Sequence, residues 1–401
     1  MERKNLAIIG GGAAGLMLAN SLKNQDGVVL IERGERLGRK LSATGNGQGN
    51  LTNLGVVDAE YFSVSKTLSS HIQQAITAYD HQSMIDFFRA LGVLCIADER
   101  GRVYPSGRQA SALTDALRFA LAKKGTDVRL ETQVTKLEKK GDGFVLTLAT
   151  KSGEEKLYAD KVVLCAGGKA AKNFGTDGNA YALAQAFGHT VTKLYPSLVQ
   201  LKTDTDHIKT LKGIRVNDGI ITAKTLTRTL SVQGDIIFTD YGVSGDAVFR
   251  LSAFIADEID NGGCTLSLDL LPQYTKEEIY ALLQAKRKAF PDMAVGELLF
   301  GIVNNQVGRA VMRRSANDLK RAAELVKAFP LSVKGSLGFD YAQVTKGGIP
   351  LHEVTENLES RLQKGLYFAG EILDADGQCG GFNLQWAYAS AKTVAKALEE
   401  K

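Results

Sequence analysis

The sequence is poor in cysteine, with four such residues among 401. They are scattered, with no C-x-x-C pair and no spacing typical of zinc ligands. This pattern excludes a disulfide framework and a zinc site, and it fits a reducing compartment, so we expect a cytoplasmic protein. The five histidines also lack metal-ligand spacing, and we therefore predict no metal.

Net charge is also low, at +5 from 49 basic and 44 acidic residues. Over this length such a charge does not by itself predict a nucleic-acid partner. No apolar segment is long enough to span a membrane. Residues 6–22 are uncharged and follow two basic residues, as in a signal peptide, but three consecutive glycines favour a nucleotide-binding turn. We expect neither a nucleic-acid nor a membrane partner, and a monomer and a homodimer both remain open.

The most informative segment is the glycine-rich turn at residues 10–15, with the sequence GGGAAG. The apolar run before it, 6–9, predicts a buried parallel strand, and the run after it, 16–22, predicts a helix. A second apolar run, 28–31, ends at Glu32. The order of strand, glycine turn, helix, strand and acid is typical of a dinucleotide-binding unit.

Each residue of this motif has a physical role. Gly10 permits the sharp turn, Gly12 lets the backbone approach a pyrophosphate, and Gly15 lets the helix pack close to the strand. The helix N-terminus offers N–H groups and a partial positive charge to phosphates. Glu32 accepts hydrogen bonds from a ribose diol and repels a 2′-phosphate, which favours FAD or NAD over NADP.

Two further segments are predicted to place backbone near the nucleotide. The loop 34–50 is long and rich in glycine, so we expect Arg39 and Lys40 to meet phosphates and its glycines to lie against a flat ring. A mobile surface loop is the alternative. The apolar strand 160–165 ends in the small-residue turn 166–168, at the carboxyl edge of the predicted sheet.

The rest of the chain changes character twice. Residues 192–270 alternate in the manner of an antiparallel sheet, and 275–328 are helical and charged, with basic clusters interpreted as solvated faces. A short strand then ends at Gly370-Glu371, and Asn383 is predicted to cap a final helix. The N-terminus of that helix suits the pyrimidine edge of a flavin, where negative charge develops on reduction.

The chain resembles the BaiN-like and aminoacetone-oxidase-like family of FAD-binding proteins, which includes the YhiN-type bacterial flavoproteins. The matching stretches run through most of the sequence: 9–16, 37–41, 50–53, 164–169, 238–245 and 365–386. The resemblance implies an α/β protein with a glutathione-reductase-like Rossmann FAD domain that is discontinuous, an inserted antiparallel β domain and a small helical domain. We predict the bounds as 1–191 with 345–401, 192–270, and 271–344, respectively.

The chain departs from the family pattern in two loops. The family often carries Gly-Gly-Arg-Cys-Asn where this chain has Asn46-Gly47-Gln48-Gly49-Asn50. Asp240 stands where a His is common, and Asp246 where a Pro is common. These loops are expected near the flavin or the substrate, so the departures weaken the transfer of substrate specificity from the family but not that of FAD binding.

The predicted cofactor-binding residues come from all of these segments. They are Gly10, Gly12, Ala13, Ala14, Gly15, Glu32, Arg33, Arg39, Lys40, Leu41, Gly45, Asn46, Gly47, Asn50, Val134, Ala166, Gly167, Gly168, Gly370, Glu371, Gly381, Phe382, Asn383 and Leu384. Asp240 and Tyr241 are candidate catalytic residues by their position in the resembling loop, and a purely structural turn is the alternative for both.

The predicted activity is FAD-dependent hydride transfer between flavin N5 and a small amine, alcohol or steroid-like substrate. The first flavin loop contains no cysteine and Cys379 stands alone, which argues against a dithiol–disulfide reductase. The absence of a second G-x-G-x-x-G leaves two options for the electrons: an organic donor with dioxygen or another acceptor, or NAD(P)H bound transiently. An RNA-modifying flavoenzyme using the basic helices 275–328, and a flavin-binding protein without turnover, are the alternatives.

Overall fold

The computed structural model describes residues 1–65, 70–259 and 263–400. The α-helices of these residues are α1 (Ala13–Ser21), α2 (Ser70–Ala78), α3 (His81–Ala90), α4 (Ala110–Lys124), α5 (Ala180–Gln185), α6 (Asp246–Ile255), α7 (Lys276–Ala289), α8 (Asn305–Arg314), α9 (Leu319–Lys327) and α10 (Phe382–Glu399). The strands are β1 (Glu2–Ile9), β2 (Val28–Ile31), β3 (Thr52–Asn53), β4 (Tyr61–Phe62), β5 (Cys95–Ala97), β6 (Arg102–Pro105), β7 (Asp127–Arg129), β8 (Gln133–Lys140), β9 (Gly143–Thr150), β10 (Gly153–Leu164), β11 (Tyr195–Ser197), β12 (Leu201–Thr203), β13 (Arg215–Lys224), β14 (Thr229–Phe238), β15 (Gly242–Ser244), β16 (Thr265–Asp269), β17 (Phe329–Ser336), β18 (Val344–Lys346), β19 (Leu366–Phe368) and β20 (Asp376–Gly377).

These elements form two compact units within the described residues, Met1–Tyr195 with Val344–Lys401, and Pro196–Gln343. We call them the first and the second unit. Each has its own cluster of buried apolar side chains. The first unit is therefore discontinuous in the chain, and the second is an insertion within it.

The first unit is built on a sheet with the strand order β7-β2-β1-β10-β9-β8, in which β19 also pairs with β10. The pairs β2–β7, β1–β2, β1–β10 and β10–β19 are parallel, whereas β10–β9 and β9–β8 are antiparallel. The strands β2 and β19 are buried at every residue, as expected for strands covered on both faces. Helix α1 packs against α4 and α10.

One predicted strand is interrupted in the structure. The sequence predicts a single strand over 128–134, but β7 ends at Arg129 and β8 begins at Gln133. Glu131 between them has a φ of 50°, which breaks an extended run. The chain turns there because β7 pairs with β2 while β8 pairs with β9 in a hairpin.

The second unit is a closed antiparallel barrel with the order β12-β15-β14-β13-β16-β17. Helix α7 begins with a capping box, in which Thr275 Oγ1 accepts from Glu278 N and Glu278 Oε2 accepts from Thr275 N. Helices α7–α9 share their core with the barrel, and β17 closes the barrel after α9. The division therefore differs from the separate helical domain predicted over 271–344, because the amphipathic helices bury their apolar faces against the barrel.

Candidate functional site

The turn between β1 and α1 forms an open helix N-terminus. Gly12 is the N-cap of α1 and supplies no side-chain hydrogen bond to the first turn. A Cβ added at Gly12 would meet nothing within 4 Å. Because the first N–H groups of a helix have no intrahelical acceptor, this end of α1 can accept an anion.

The flanking glycines are required by close packing. Gly10 has a φ of 108°, and a Cβ there would lie 2.6 Å from Ala166 Cα. A Cβ at Gly15 would collide with the carbonyl oxygen of Gly10. The structure therefore brings Gly10, Gly15 and the predicted turn residue Ala166 together. Ala13 and Ala14 open the helix directly above Gly12.

Glu32, at the end of β2, is held by backbone donors. Its Oε2 accepts from Gly11 N at 2.8 Å and its Oε1 from Gly34 N at 2.7 Å. Each carboxylate oxygen has a second lone pair, so the oriented side chain can still accept hydrogen bonds from a diol. The carbonyl oxygen of Glu32 also accepts from Thr132 N at 3.0 Å, and the predicted residue Val134 is buried in β8, where it pairs with Leu148.

The predicted arginines contact a loop of the protein itself. Arg33 donates to Gly175 O, through Nε at 2.9 Å, and through Nη1 to Asp177 Oδ2 at 2.8 Å. Arg39 Nη2 donates to Asn173 O at 3.0 Å. Both guanidinium groups therefore fasten the segment around residues 173–177, a partner more than 130 residues away in sequence.

Lys40 and Glu371, both predicted to bind the cofactor, form an ion pair. Lys40 Nζ lies 2.7 Å from Glu371 Oε2, and Glu371 Oε1 accepts from Thr345 N at 2.9 Å. Thr345 Oγ1 accepts from Lys169 N and Ala170 N. A Cβ at Gly168 would lie 2.9 Å from Glu371 Oε1, so this turn too is tightly packed. Gly167, with a φ of 74°, precedes it.

The glycine-rich loop is folded rather than extended. Leu41 is buried, and Gly45, Asn46 and Gly47 have φ values of 59°, 54° and 81°. A Cβ at Gly47 would meet nothing within 4 Å. With its amide oriented to satisfy its neighbours, Asn50 donates to Val103 O at 3.2 Å and accepts from Gly381 N at 3.2 Å. The loop thus reaches the start of α10.

The C-terminal residues adjoin the same turn. Gly370, with a φ of 78°, would place a Cβ 2.8 Å from Ala14 Cβ. Trp386 Nε1 donates to Gly370 O at 3.2 Å. Helix α10 begins at Phe382, with Gly381 as its N-cap and Leu384 in its first turn. The residues predicted from both ends of the chain are therefore neighbours.

The predicted role of Asn383 as a helix cap is wrong. Gly381 is the N-cap and provides no side chain, while Asn383 lies inside the first turn. Its Oδ1 accepts from Gly377 N and its Nδ2 donates to Gly377 O, both at 2.8 Å. Asn383 therefore fixes the approach to α10 and leaves the helix N-terminus uncapped.

The candidate catalytic residues lie in the second unit. Asp240 Oδ2 is 2.6 Å from Lys212 Nζ, and this hydrogen bond lowers the pKa of Asp240. Both side chains are mostly exposed. Burial raises the pKa of Tyr241, whose carbonyl accepts from Thr203 N at 3.0 Å. Their predicted catalytic role stays a prediction.

Sequence reasoning missed two residues that organise the first unit. Thr345 receives two consecutive N–H groups of residues 169 and 170. The carboxylate of Asp177 accepts a hydrogen bond from Arg33 Nη1. The glycine pair 347–348 directly after β18 is a local signal that could have identified Thr345. Nothing near Asp177 in the sequence indicates that it pairs with Arg33.

These features meet the demands of a dinucleotide. An open helix N-terminus, a fixed carboxylate at the end of β2 and left-handed glycines at the sheet edge fit the pyrophosphate, the ribose and a flat ring, respectively.

No helix in the described part of the chain has the length and apolar character needed to cross a membrane.

Comparison with known proteins gives relatives over the whole length. The 3-dehydro-bile acid delta(4,6)-reductase of Clostridium scindens is 32% identical over 99% of this chain and 99% of the relative. The ribosomal RNA dihydrouridine synthase of Escherichia coli is 29% identical over 99% of this chain and 98% of the relative.

Among solved structures, 3-ketosteroid delta1-dehydrogenase from Sterolibacterium denitrificans has a TM-score of 0.57 at 12% identity, with both chains covered completely. A flavocytochrome c3 fumarate reductase has a TM-score of 0.51 at 16% identity, covering 100% of this chain and 78% of that one. These similarities concern the fold. They confirm the predicted α/β class with a discontinuous Rossmann-type domain and an inserted β domain.

The family described as the HI0933-like protein Rossmann domain matches residues 4–397. Together with the relatives, this match confirms the resemblance found in the sequence motifs. The chain belongs to the HI0933-like family of Rossmann-domain proteins.

Proposed function

We propose that the protein is an FAD-dependent oxidoreductase that transfers a hydride between a small organic substrate and FAD. The observation that carries this proposal is the open N-terminus of α1, where Gly12 faces free space between two glycines that packing requires. Bound FAD supplies the two-electron chemistry. A full-length relative named as a bile acid reductase supports a steroid-like substrate.

The residues of the first unit hold the cofactor. The N–H groups at the start of α1 bind the pyrophosphate, and Glu32, oriented by Gly11 N and Gly34 N, binds the adenosine ribose. The uncapped N-terminus of α10 would stabilise negative charge on the pyrimidine edge of a flavin held there. Asp240 and Tyr241 remain the candidates for proton transfer to the substrate.

The test begins with the visible spectrum of the purified protein. We expect a yellow protein that is bleached anaerobically by NADH, NADPH or a reduced steroid, and recoloured by a 3-oxo-4,6-diene steroid. A colourless, well-folded protein that does not bind added FAD would contradict the cofactor. A bound flavin that no amine, alcohol, steroid or nicotinamide donor reduces would contradict the oxidoreductase.

A second candidate is the reduction of uracil bases in ribosomal RNA. It is favoured by the relatives named as ribosomal RNA dihydrouridine synthases, and by residues 305–327, which carry six basic and two acidic side chains. Arg313, Lys320 and Arg321 are exposed there. Incubation with NADPH and ribosomal RNA that lacks dihydrouridine distinguishes the two: loss of uridine absorbance without steroid reduction favours this candidate.

A further inference from the structure

The segment 169–178, which we call the strap, is fastened at three places. At its start, Thr345 Oγ1 accepts from Lys169 N at 2.7 Å and from Ala170 N at 2.8 Å. In its middle, Arg39 donates to Asn173 O. Near its end, Arg33 donates to Gly175 O and to Asp177 Oδ2.

The strap has little regular structure of its own. Its single short 3-10 turn covers Lys172–Phe174. Ala171, Gly175 and Gly178 have φ values of 66°, 97° and 81°. Residues 172–174 are exposed, whereas Ala170 and Ala171 are buried. Because few backbone bonds hold such a segment, its position depends on the side chains that fasten it.

The sheet order fixes where the strap runs. It leaves the carboxyl end of β10 after the turn at Gly167 and Gly168, and it is tied to Arg33, which follows the carboxyl end of β2. Strand β1 lies between β2 and β10. The strap must therefore cross the carboxyl end of β1, where Gly10 begins the open turn into α1.

From this course we infer that the strap closes over the adenosine half of the bound dinucleotide, with the Arg33–Asp177 pair as its latch. The inference rests on the proposed cofactor. Arg33 is then a positioning residue: it donates to the strap, and it slows cofactor release by keeping the strap in place. Hydrogen bonds from Arg33 and from Asn179 N lower the pKa of Asp177 despite its partial burial, which keeps the latch ionised at neutral pH.

The test measures the rate of FAD release after dilution of the holoprotein, followed by the fluorescence of free FAD. We expect Arg33→Ala and Asp177→Asn each to release FAD about tenfold faster, since loss of one well-formed ion pair has effects of this order. The double variant should be no faster than Arg33→Ala alone, because that substitution already removes the ion pair together with the hydrogen bond to Gly175 O. Arg33→Lys should recover part of the effect.

Arg3→Ala is the matched control. Arg3 pairs with Asp160 at 2.7 Å in the same unit, near the opposite end of β1, and its loss should leave release unchanged. Thermal unfolding of each apoprotein identifies a variant that fails to fold, in which case Asp177→Asn and Arg33→Lys carry the test.

Three outcomes would overturn the latch. An unchanged rate of FAD release in both single variants would show that there is no latch. Additive increases of that rate in the double variant would show the same. Faster release in Arg33→Ala with no change in Asp177→Asn shows that the Arg33–Asp177 pair is not the latch and that Arg33 acts through Gly175 O or on the cofactor itself. A wild-type protein that binds no FAD contradicts the proposed function itself, before any variant is compared.

Discussion

Two glycines of the same turn have opposite surroundings. A Cβ at Gly15 collides with the carbonyl of Gly10, whereas one at Gly12 meets no atom within 4 Å. The φ of Gly12 is −78°, which alanine adopts without strain. Packing within the folded chain therefore requires Gly15, whereas nothing in the folded chain requires Gly12, and we infer that Gly12 leaves room for a ligand.

We predict that Gly12→Ala folds with a loss of no more than about 1 kcal/mol but binds FAD at least about tenfold more weakly, because its methyl group takes the space of the pyrophosphate. Gly15→Ala should lose about 1–3 kcal/mol or more through overpacking. Urea unfolding of the apoprotein and fluorescence titration with FAD measure the two quantities. Equal destabilisation by both substitutions would show that this distinction is wrong.

At the residue scale, the partners of three basic side chains could not be predicted from the sequence. The sequence predicts that Arg33, Arg39 and Lys40 bind the cofactor, because they closely follow the Glu32 strand, and this stays a prediction. Their partners Asp177, Asn173 and Glu371 come from distant segments. In a sequence, a basic residue near a predicted phosphate site is interpreted as a phosphate ligand. The tertiary structure can instead pair it with a distant group of the protein, and the sequence pattern does not reveal that partner.

Among elements, the strands β1 and β7 are joined by a charged network across the start of β2. Lys4 Nζ lies 2.9 Å from both Glu2 Oε1 and Asp127 Oδ2, and Arg129 Nη2 lies 3.0 Å from Asp127 Oδ2. Hydrogen bonds from Arg129 and Lys4 lower the pKa of Glu2. Burial alone would raise the pKa of Asp127, but hydrogen bonds from Lys4 and Arg129 lower it.

Acid should therefore weaken this edge of the sheet. Because both carboxylates have a lower pKa in the folded than in the unfolded chain, their contribution is complete above about pH 5 and is lost as pH falls through the folded values. Glu2 is 48% exposed, so we expect less than about 1 kcal/mol for each of its pairs. Urea unfolding between pH 6 and pH 3 should show a shallower acid loss in Glu2→Gln/Asp127→Asn than in the wild type.

The control is Glu138→Gln, which breaks an exposed pair with Lys136 on β8. It should follow the wild type across the pH series. If the free energy of unfolding fell identically with pH in the wild type and in the Glu2/Asp127 double variant, the network would not contribute to acid stability.

The pattern of elements was predictable where local signals agree. Short apolar runs next to turn residues predicted β1, β2 and β19. The break at Glu131 and the role of Asn383 were not predictable, because each depends on a neighbour supplied by tertiary structure. The helices α7–α9 were found, but their periodicity identifies an apolar face without identifying the surface that covers it.

At the scale of the whole molecule, the single tryptophan reports on one of two cores. Trp386 is 1% exposed and belongs to the apolar cluster of the first unit. Its fluorescence should therefore follow the unfolding of the unit that contains the cofactor residues. The cluster of the second unit contains no tryptophan.

We predict that FAD at 100 times its dissociation constant stabilises the first unit by about 2.7 kcal/mol. For a unit of this size the midpoint of the Trp386 transition should rise by about 5–10 °C. Adenosine monophosphate at the same concentration is the control and should give a smaller shift. A midpoint that does not move with FAD, in a protein whose bound flavin is visible, would place the cofactor outside this core.

The division of the first unit between distant parts of the chain has a consequence for biosynthesis. The turn at Gly10 is synthesised before the barrel, but Gly370 and α10, which pack beside it, are synthesised after the barrel. The barrel, whose strands are contiguous, can be completed while the Rossmann sheet still lacks β19. We therefore expect a nascent chain to retain its cofactor only after β19 and α10 have been synthesised.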